Sequence, residues 1–126
     1  MGDENPEAGI VAAIQALRSQ IRWKAGADAR HLDKRKRRGH LPPEHTVADY
    51  TNLIRAILNN DENVVYRYDV ADTTYGAVGG EYEGQDWLVI FGLDGIMETA
   101  FPPKKLERYL TRRGFVRLGT MKELSQ

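Results

Sequence analysis

Apolar residues recur at helical spacing from the start of the chain. Ile10, Ile14, Leu17 and Ile21 form a stripe that Val11 and Ala13 widen. The stripe predicts a core-facing helix over about residues 6–24, opened by Pro6 and ended by Gly26. A second stripe, Val47, Tyr50, Leu53, Ile54, Ile57 and Leu58, predicts a helix over about 47–59. Thr46 is a good N-cap for it, with Asp49 three residues on, near the first-turn amides. Between the stripes, Arg30 to Arg38 either extends a helix or forms an ordered loop. Gly39 and the Pro42-Pro43 pair break any helix there.

The second half reads as antiparallel strands. Val64 to Val70 is rich in Val and Tyr, and Trp87-Leu88-Val89-Ile90-Phe91 centres a strong strand over about 86–92. Tyr75 to Tyr82 is weaker, and its glycines at 76, 79 and 80 suggest a bulge or a close backbone approach. Asp94-Gly95 signals a two-residue type I′ turn, so residues 96–101 return as a hairpin partner. In that register Leu93 faces Ile96 and Ile90 faces Thr99. Thr99 then shares a sheet face with Met97, Phe101, Leu88 and Ile90. Pro102-Pro103 opens a further helix over 104–113, with Leu106, Tyr109 and Leu110 inward and Gly114 as C-cap, and residues 115–118 add a short edge strand. The order predicts an α+β fold with the helices on one face of the sheet, N-terminal helices packing on an antiparallel four- to five-stranded sheet followed by a C-terminal helix. Residues 1–5 are expected to fray.

Composition narrows the class. A chain of 126 residues fits a single domain, 1–126, with a modest core. At 41% hydrophobic and 29% charged it should be globular rather than disordered. No apolar run approaches the roughly 18 residues of a membrane span, and Gly2-Asp-Glu-Asn-Pro does not resemble a secretory leader. The expected setting is the cytosol, either of the producing cell or of a target cell that receives the domain as part of a larger protein. The absence of Cys removes disulfides, a thiolate nucleophile and Cys-based zinc sites. His31, His40 and His45 show no metal-ligand spacing on a helix, so no metal or organic cofactor is expected.

Net charge is zero, yet the charge is segregated. Six of the nine residues from Arg30 to Arg38 are Lys or Arg. Residues 60–98 hold nine acids and one base, Arg67, whereas residues 104–117 hold six bases and one acid, Glu107. A phosphate-rich partner suits the basic blocks, and the histidines that bracket the first of them, His31 and His40, are suited to proton transfer near neutrality. The plainer reading of that block is a solvated basic linker. Thr99 among apolar neighbours either packs as an ordinary strand Thr or bonds a phosphate oxygen. Arg67 either contacts phosphate or pairs with Asp69. Tyr66, Tyr68, Tyr75 and Tyr82 either stack bases or pack across strands, the second being favoured.

His31, then Lys34-Arg35, a Gly, a helix opened at Thr46 and rich in Ile, and the sheet end Ile96-Met-Glu-Thr99-Ala-Phe-Pro102 together resemble the metal-independent ribonuclease toxins of the barnase, EndoU, colicin and RelE-like group. The resemblance covers about residues 29–103. It implies cleavage of RNA, tRNA or another structured RNA before DNA, by attack of a 2′-OH on its own phosphate. His31 would be the base or acid, Lys34 and Arg35 phosphate clamps, and Thr99 a phosphate ligand. Arg67, Lys36, Arg38 and His40 are further candidates. A second His directly after the basic pair is missing and Lys36 stands there, which leaves the second proton-transfer group open. A toxin of this kind implies a neutralising immunity or antitoxin protein, and an acidic one would complement residues 30–38 and 104–117. The rival readings are a non-catalytic nucleic-acid-binding module and a mobile-element interaction protein. Oligomeric state is not legible.

Overall fold

The computed structural model describes residues 5–125 of the chain. The fraying expected for residues 1–5 falls, apart from Asn5, outside them. The elements run α1 (Pro6–Ser19), α2 (Ala27–Arg37), α3 (Val47–Asn59), β1 (Val64–Val70), β2 (Thr73–Tyr82), β3 (Gln85–Gly92), β4 (Met97–Phe101), α4 (Leu106–Arg113), β5 (Val116–Thr120) and α5 (Met121–Leu124). The strands form one antiparallel five-stranded sheet in the order β4-β3-β2-β1-β5. The fold is α+β, as the order of periodicities predicts.

The helices do not share one face. Val65, Val78, Val89 and Phe91 pack with Ile10, Ile14 and Leu17 of α1 and with Leu53, Ile54 and Ile57 of α3. The alternate positions Tyr66, Ala77, Leu88 and Ile90 pack with Leu106, Tyr109 and Leu110 of α4. The sheet is therefore a middle layer. The unbroken apolar run Trp87 to Phe91, all buried, is its sequence signature, since a strand with one wet face would alternate.

The first helix is shorter than its stripe. It stops at Ser19, and the chain continues extended from Gln20. The Arg22 carbonyl accepts a hydrogen bond from the Met97 amide at 2.8 Å. β4 is an edge strand, and satisfying its outward amide competes with one more helical turn. Ile21 and Trp23 still reach the core from the extended segment. The Tyr50 hydroxyl covers another group of the same strand by donating to the Ala100 carbonyl at 2.6 Å.

The β3–β4 hairpin is not closed by a two-residue turn. The Gly92 amide donates to the Ile96 carbonyl and the Gly95 amide to the Gly92 carbonyl, so Leu93, Asp94 and Gly95 form a three-residue loop. Gly95 takes a φ of +80° and Asp94 does not take a positive one, a combination that fits a type I turn closed by a left-handed glycine rather than type I′. Leu93 thus does not face Ile96. Phe91 pairs with Met97, a bulge absorbs Glu98, and Ile90 pairs with Thr99. The extra loop residue and the bulge cancel, so the expected Ile90–Thr99 pairing holds. Met97 lies on the opposite face, in the α1–α3 core. In β2 the glycines mark close approach and no bulge: a Cβ on Gly76 would sit 2.6 Å from the Phe91 ring and 2.9 Å from Ile10. The tyrosines pack among aromatic neighbours, Tyr68 against Tyr75 across the strands and against Phe115 at 4.0 Å.

Candidate functional site

The basic segment is helical. Asp28 occupies the first turn of α2 and Lys34, Arg35, Lys36 and Arg37 its last, the arrangement that the helix dipole favours. His31, Lys34, Arg35 and Arg38 follow at i, i+3, i+4 and i+7, so they share one side of the helix. That side faces the end of β4. On the other flank, Lys105, Arg108, Tyr109 and Arg112 stand at the same spacing on and just before α4. Two basic helix faces thus flank Thr99 and Phe101.

A pocket of about 360 Å³ lies between them, with Lys34, Arg35, Arg38, Thr99, Tyr109 and Arg113 among its walls. His40 and Glu98 line it as well. The His31 ring reaches it through Thr99: Nδ1 stands 3.3 Å from the Thr99 hydroxyl. The imidazole also packs on the Trp23 ring at 5.2 Å, and Trp23 stacks on Tyr50 at 5.9 Å. These contacts fix the imidazole from one side.

Arg35 is the unusual member. It is 4% exposed and the buried charged residue of the core, yet no carboxylate is bonded to it. Its Nη1 donates to His40 Nδ1 at 3.2 Å, its guanidinium carbon lies 5.6 Å from the Phe101 centroid, and its Nε has no partner. Burial, then Arg38, pushes its pKa below the usual value, with a partial offset from Tyr50. A buried cation without a counter-ion is costly, and an anion in the pocket would remove that cost. Because guanidinium cannot accept, His40 Nδ1 must carry the lone pair, and the proton sits on Nε2.

Both histidines are held below the ordinary value of 6.5. For His31 the largest cause is burial, followed by Arg35 and Lys34, with Glu98 acting in the opposite sense. For His40 burial again leads, followed by Arg35 and Arg38. The shift favours the neutral form of both rings. A neutral His31 can accept a proton, and Glu98 then steadies the imidazolium. A neutral His40 offers an Nε2–H donor.

His31, Lys34, Arg35, Arg38, His40 and Thr99 thus come together. Arg67 does not join them. It lies on β1, three strands from β4 in the sheet order, and pairs with Asp69 at 3.0 Å. Its cross-strand partners Gly76, Phe91 and Met97 put it on the face opposite Thr99. Lys36 lies on α2 outside the pocket walls, and Arg37 is tied to Asp33 at 2.9 Å. His45 lines a separate cavity of about 400 Å³ with Asp49 and Gln85. Sequence reasoning missed Arg113, Tyr109 and Glu98. The i, i+3, i+4, i+7 pattern of α4 was the available signal for Tyr109 and the i+4 spacing from Tyr109 the signal for Arg113, whereas the bulge at Glu98 had none. Among the described residues no three His, Asp or Glu side chains converge as metal ligands, and no helix is long and apolar enough to cross a membrane. Comparison with protein-family models, curated proteins and solved structures found no match to this chain.

Proposed function

We propose that the protein is a small endoribonuclease whose own side chains cleave RNA by attack of the 2′-OH on the adjacent phosphorus. The observation that carries this reading is the His31 ring, its Nδ1 3.3 Å from the Thr99 hydroxyl, beside a buried Arg35 that has no carboxylate partner. His31 takes the 2′ proton as the new P–O2′ bond forms. The P–O5′ bond breaks, leaving a 2′,3′-cyclic phosphate and a 5′-OH. Lys34 supplies the proton to O5′, because the arginines of the pocket cannot release one. Arg35, Arg38 and the His40 Nε2–H hold the phosphoryl oxygens, and Thr99 orients both His31 and the phosphate. General acid–base help of this kind is worth roughly 10²–10⁴-fold, and preorganised cations often contribute more. Structured RNA such as tRNA is the favoured substrate, and an acidic immunity or antitoxin protein is the favoured neutralising partner.

Cleavage of total RNA by the purified chain in excess chelator tests the reading. Products should end in cyclic phosphate, and a 2′-deoxy substitution at the cut position should block cutting. His31→Ala and Thr99→Val, each checked for folding by circular dichroism, should abolish cleavage and lower it at least tenfold, respectively. RNA that the wild type binds and leaves whole would replace this reading with a non-catalytic RNA-binding module using the same groove.

A further inference from the structure

The catalytic pocket opens along α4 into a second cleft of about 560 Å³. Arg38, Lys104, Lys105, Arg108, Arg112 and Arg113 line it, and among the described residues no carboxylate does. The two cavities share Arg38, His40, Phe101, Tyr109 and Arg113, so they adjoin. Glu107, the acid of this basic block, is not among the lining residues. The walls are not only charged. Phe101 and Tyr109 meet edge to face at 5.2 Å, and the Arg113 guanidinium lies over the Tyr109 ring at 4.9 Å. Arg113 is itself exposed. The guanidinium that lies over the ring is therefore also accessible to solvent.

A binding site for phosphate alone needs charge and hydrogen-bond donors. A planar guanidinium layered on an aromatic ring adds a platform on which a nucleobase stacks. Bases inside a duplex are stacked on one another and cannot present a free face, whereas an unpaired base can. We propose that this cleft is a second nucleotide subsite, which takes an unpaired nucleotide of the RNA strand with its phosphate on the Lys105–Arg108–Arg112 face and its base on the Arg113–Tyr109 layer. The proposal rests on the reading of the groove as an RNA site. It makes a single-stranded or looped segment the substrate class, with the strand crossing from α2 to α4 over the end of β4.

The test uses an uncleavable 2′-O-methyl oligonucleotide, read by fluorescence anisotropy, so that it does not depend on catalysis. The wild-type chain should bind the single strand at least tenfold more tightly than the same strand annealed to its complement. R113K keeps the charge and loses the plane, and it should weaken single-strand binding about tenfold. Scanning an abasic residue along the oligonucleotide should reveal one position where the wild type loses the same factor and R113K loses nothing further. Arg113 is exposed, so R113K should fold, whereas Tyr109 packs on Phe101 and Phe115 and is a poorer test position. Equal binding of duplex and single strand, an unaffected R113K, or equal R113K losses at every abasic position would overturn the subsite. Cleavage of RNA alongside any of those results would leave the ribonuclease reading standing, and the abasic signature without cleavage would do the reverse.

Discussion

Replacing Arg35 with Met separates what the fold needs from what the site needs. Met has similar length and no charge. The substitution removes the hydrogen bond to His40, worth about 1 kcal/mol, and a long cation–π contact with Phe101, worth about 0.5–1 kcal/mol. Against these losses it removes an unpartnered buried Nε, which costs about 1–3 kcal/mol. It also removes the desolvation cost of the cation and its repulsion from Arg38. Apolar replacement of buried charges is often stabilising by about 1–4 kcal/mol. The expected net gain is about 1–2 kcal/mol. At about 2.1 cal/mol/K per residue, 126 residues give an unfolding entropy of about 0.26 kcal/mol/K, so Tm should rise by roughly 4–8 °C. RNA cleavage should fall by about 10² or more, the usual loss when a preorganised donor to the reacting oxygens is removed. Thermal unfolding by circular dichroism and cleavage of a labelled RNA on the same samples provide the assay. An Arg35→Met protein that melts below the wild type would refute the reasoning, because Arg35 would then be part of the scaffold and not a counter-charge awaiting an anion.

Four further outcomes follow from contacts in the site and the core. The acid limb of kcat/KM against pH should have its midpoint below 6.5, because burial and the neighbouring cations favour neutral His31; a midpoint above 7 would exclude His31 as the base. The same depression makes the unfolded chain bind more protons than the native one, so stability is full above about pH 7 and declines as pH falls from 6.5 toward the folded-state values of His31 and His40. Tyr50→Phe should cost about 1–3 kcal/mol by leaving the Ala100 carbonyl without its partner, and unchanged urea unfolding would contradict that. Gly76→Ala should destabilise by about 1–3 kcal/mol through overpacking against Phe91 and Ile10, measured as a lower urea midpoint at an unchanged slope.

Periodicity made most of the fold legible, and long-range pairing decided the rest. The α3 stripe and its Thr46–Asp49 capping box are local, and residues 47–59 are helical as expected. Helix α1 ends early because the Arg22 carbonyl serves a strand more than seventy residues away, which no local window contains. The hairpin loop and the Glu98 bulge each shift the register by one, and only their cancellation keeps Thr99 opposite Ile90. The α2 side of the site was legible because charge density and histidines coincide there. The α4 wall was legible only as charge, since its role depends on which sheet face the helix covers. Arg67 stood out as a lone base in an acidic block, but strand order carries it to the far side of the sheet and Asp69 neutralises it.

Like charges held together on α2 and α4 should be relieved by an anion, and that relief is measurable without any catalysis. Asp33 answers Arg37 and Glu98 stands near His31, but Lys34, Arg35, Arg38, Arg108 and Arg113 make no carboxylate ion pair among the described residues. Nine of the eighteen acidic residues that balance the chain lie within residues 60–98, and of these Glu98 lines the pocket. An anion that binds the native groove and not the unfolded chain stabilises by about 2.7 kcal/mol at a hundredfold excess over its Kd. With the entropy above, that is a Tm rise of about 10 °C. An uncleavable single-stranded RNA should produce it, should produce much less of it in Arg35→Met, and should lose it as salt is raised because phosphate contacts release counterions. Inorganic phosphate should give a smaller rise, since it fills the pocket and not the cleft along α4. A rise of the same size in wild type and Arg35→Met would mean that the anion binds elsewhere on the surface, and the groove would then be no more than a solvated pair of basic helices.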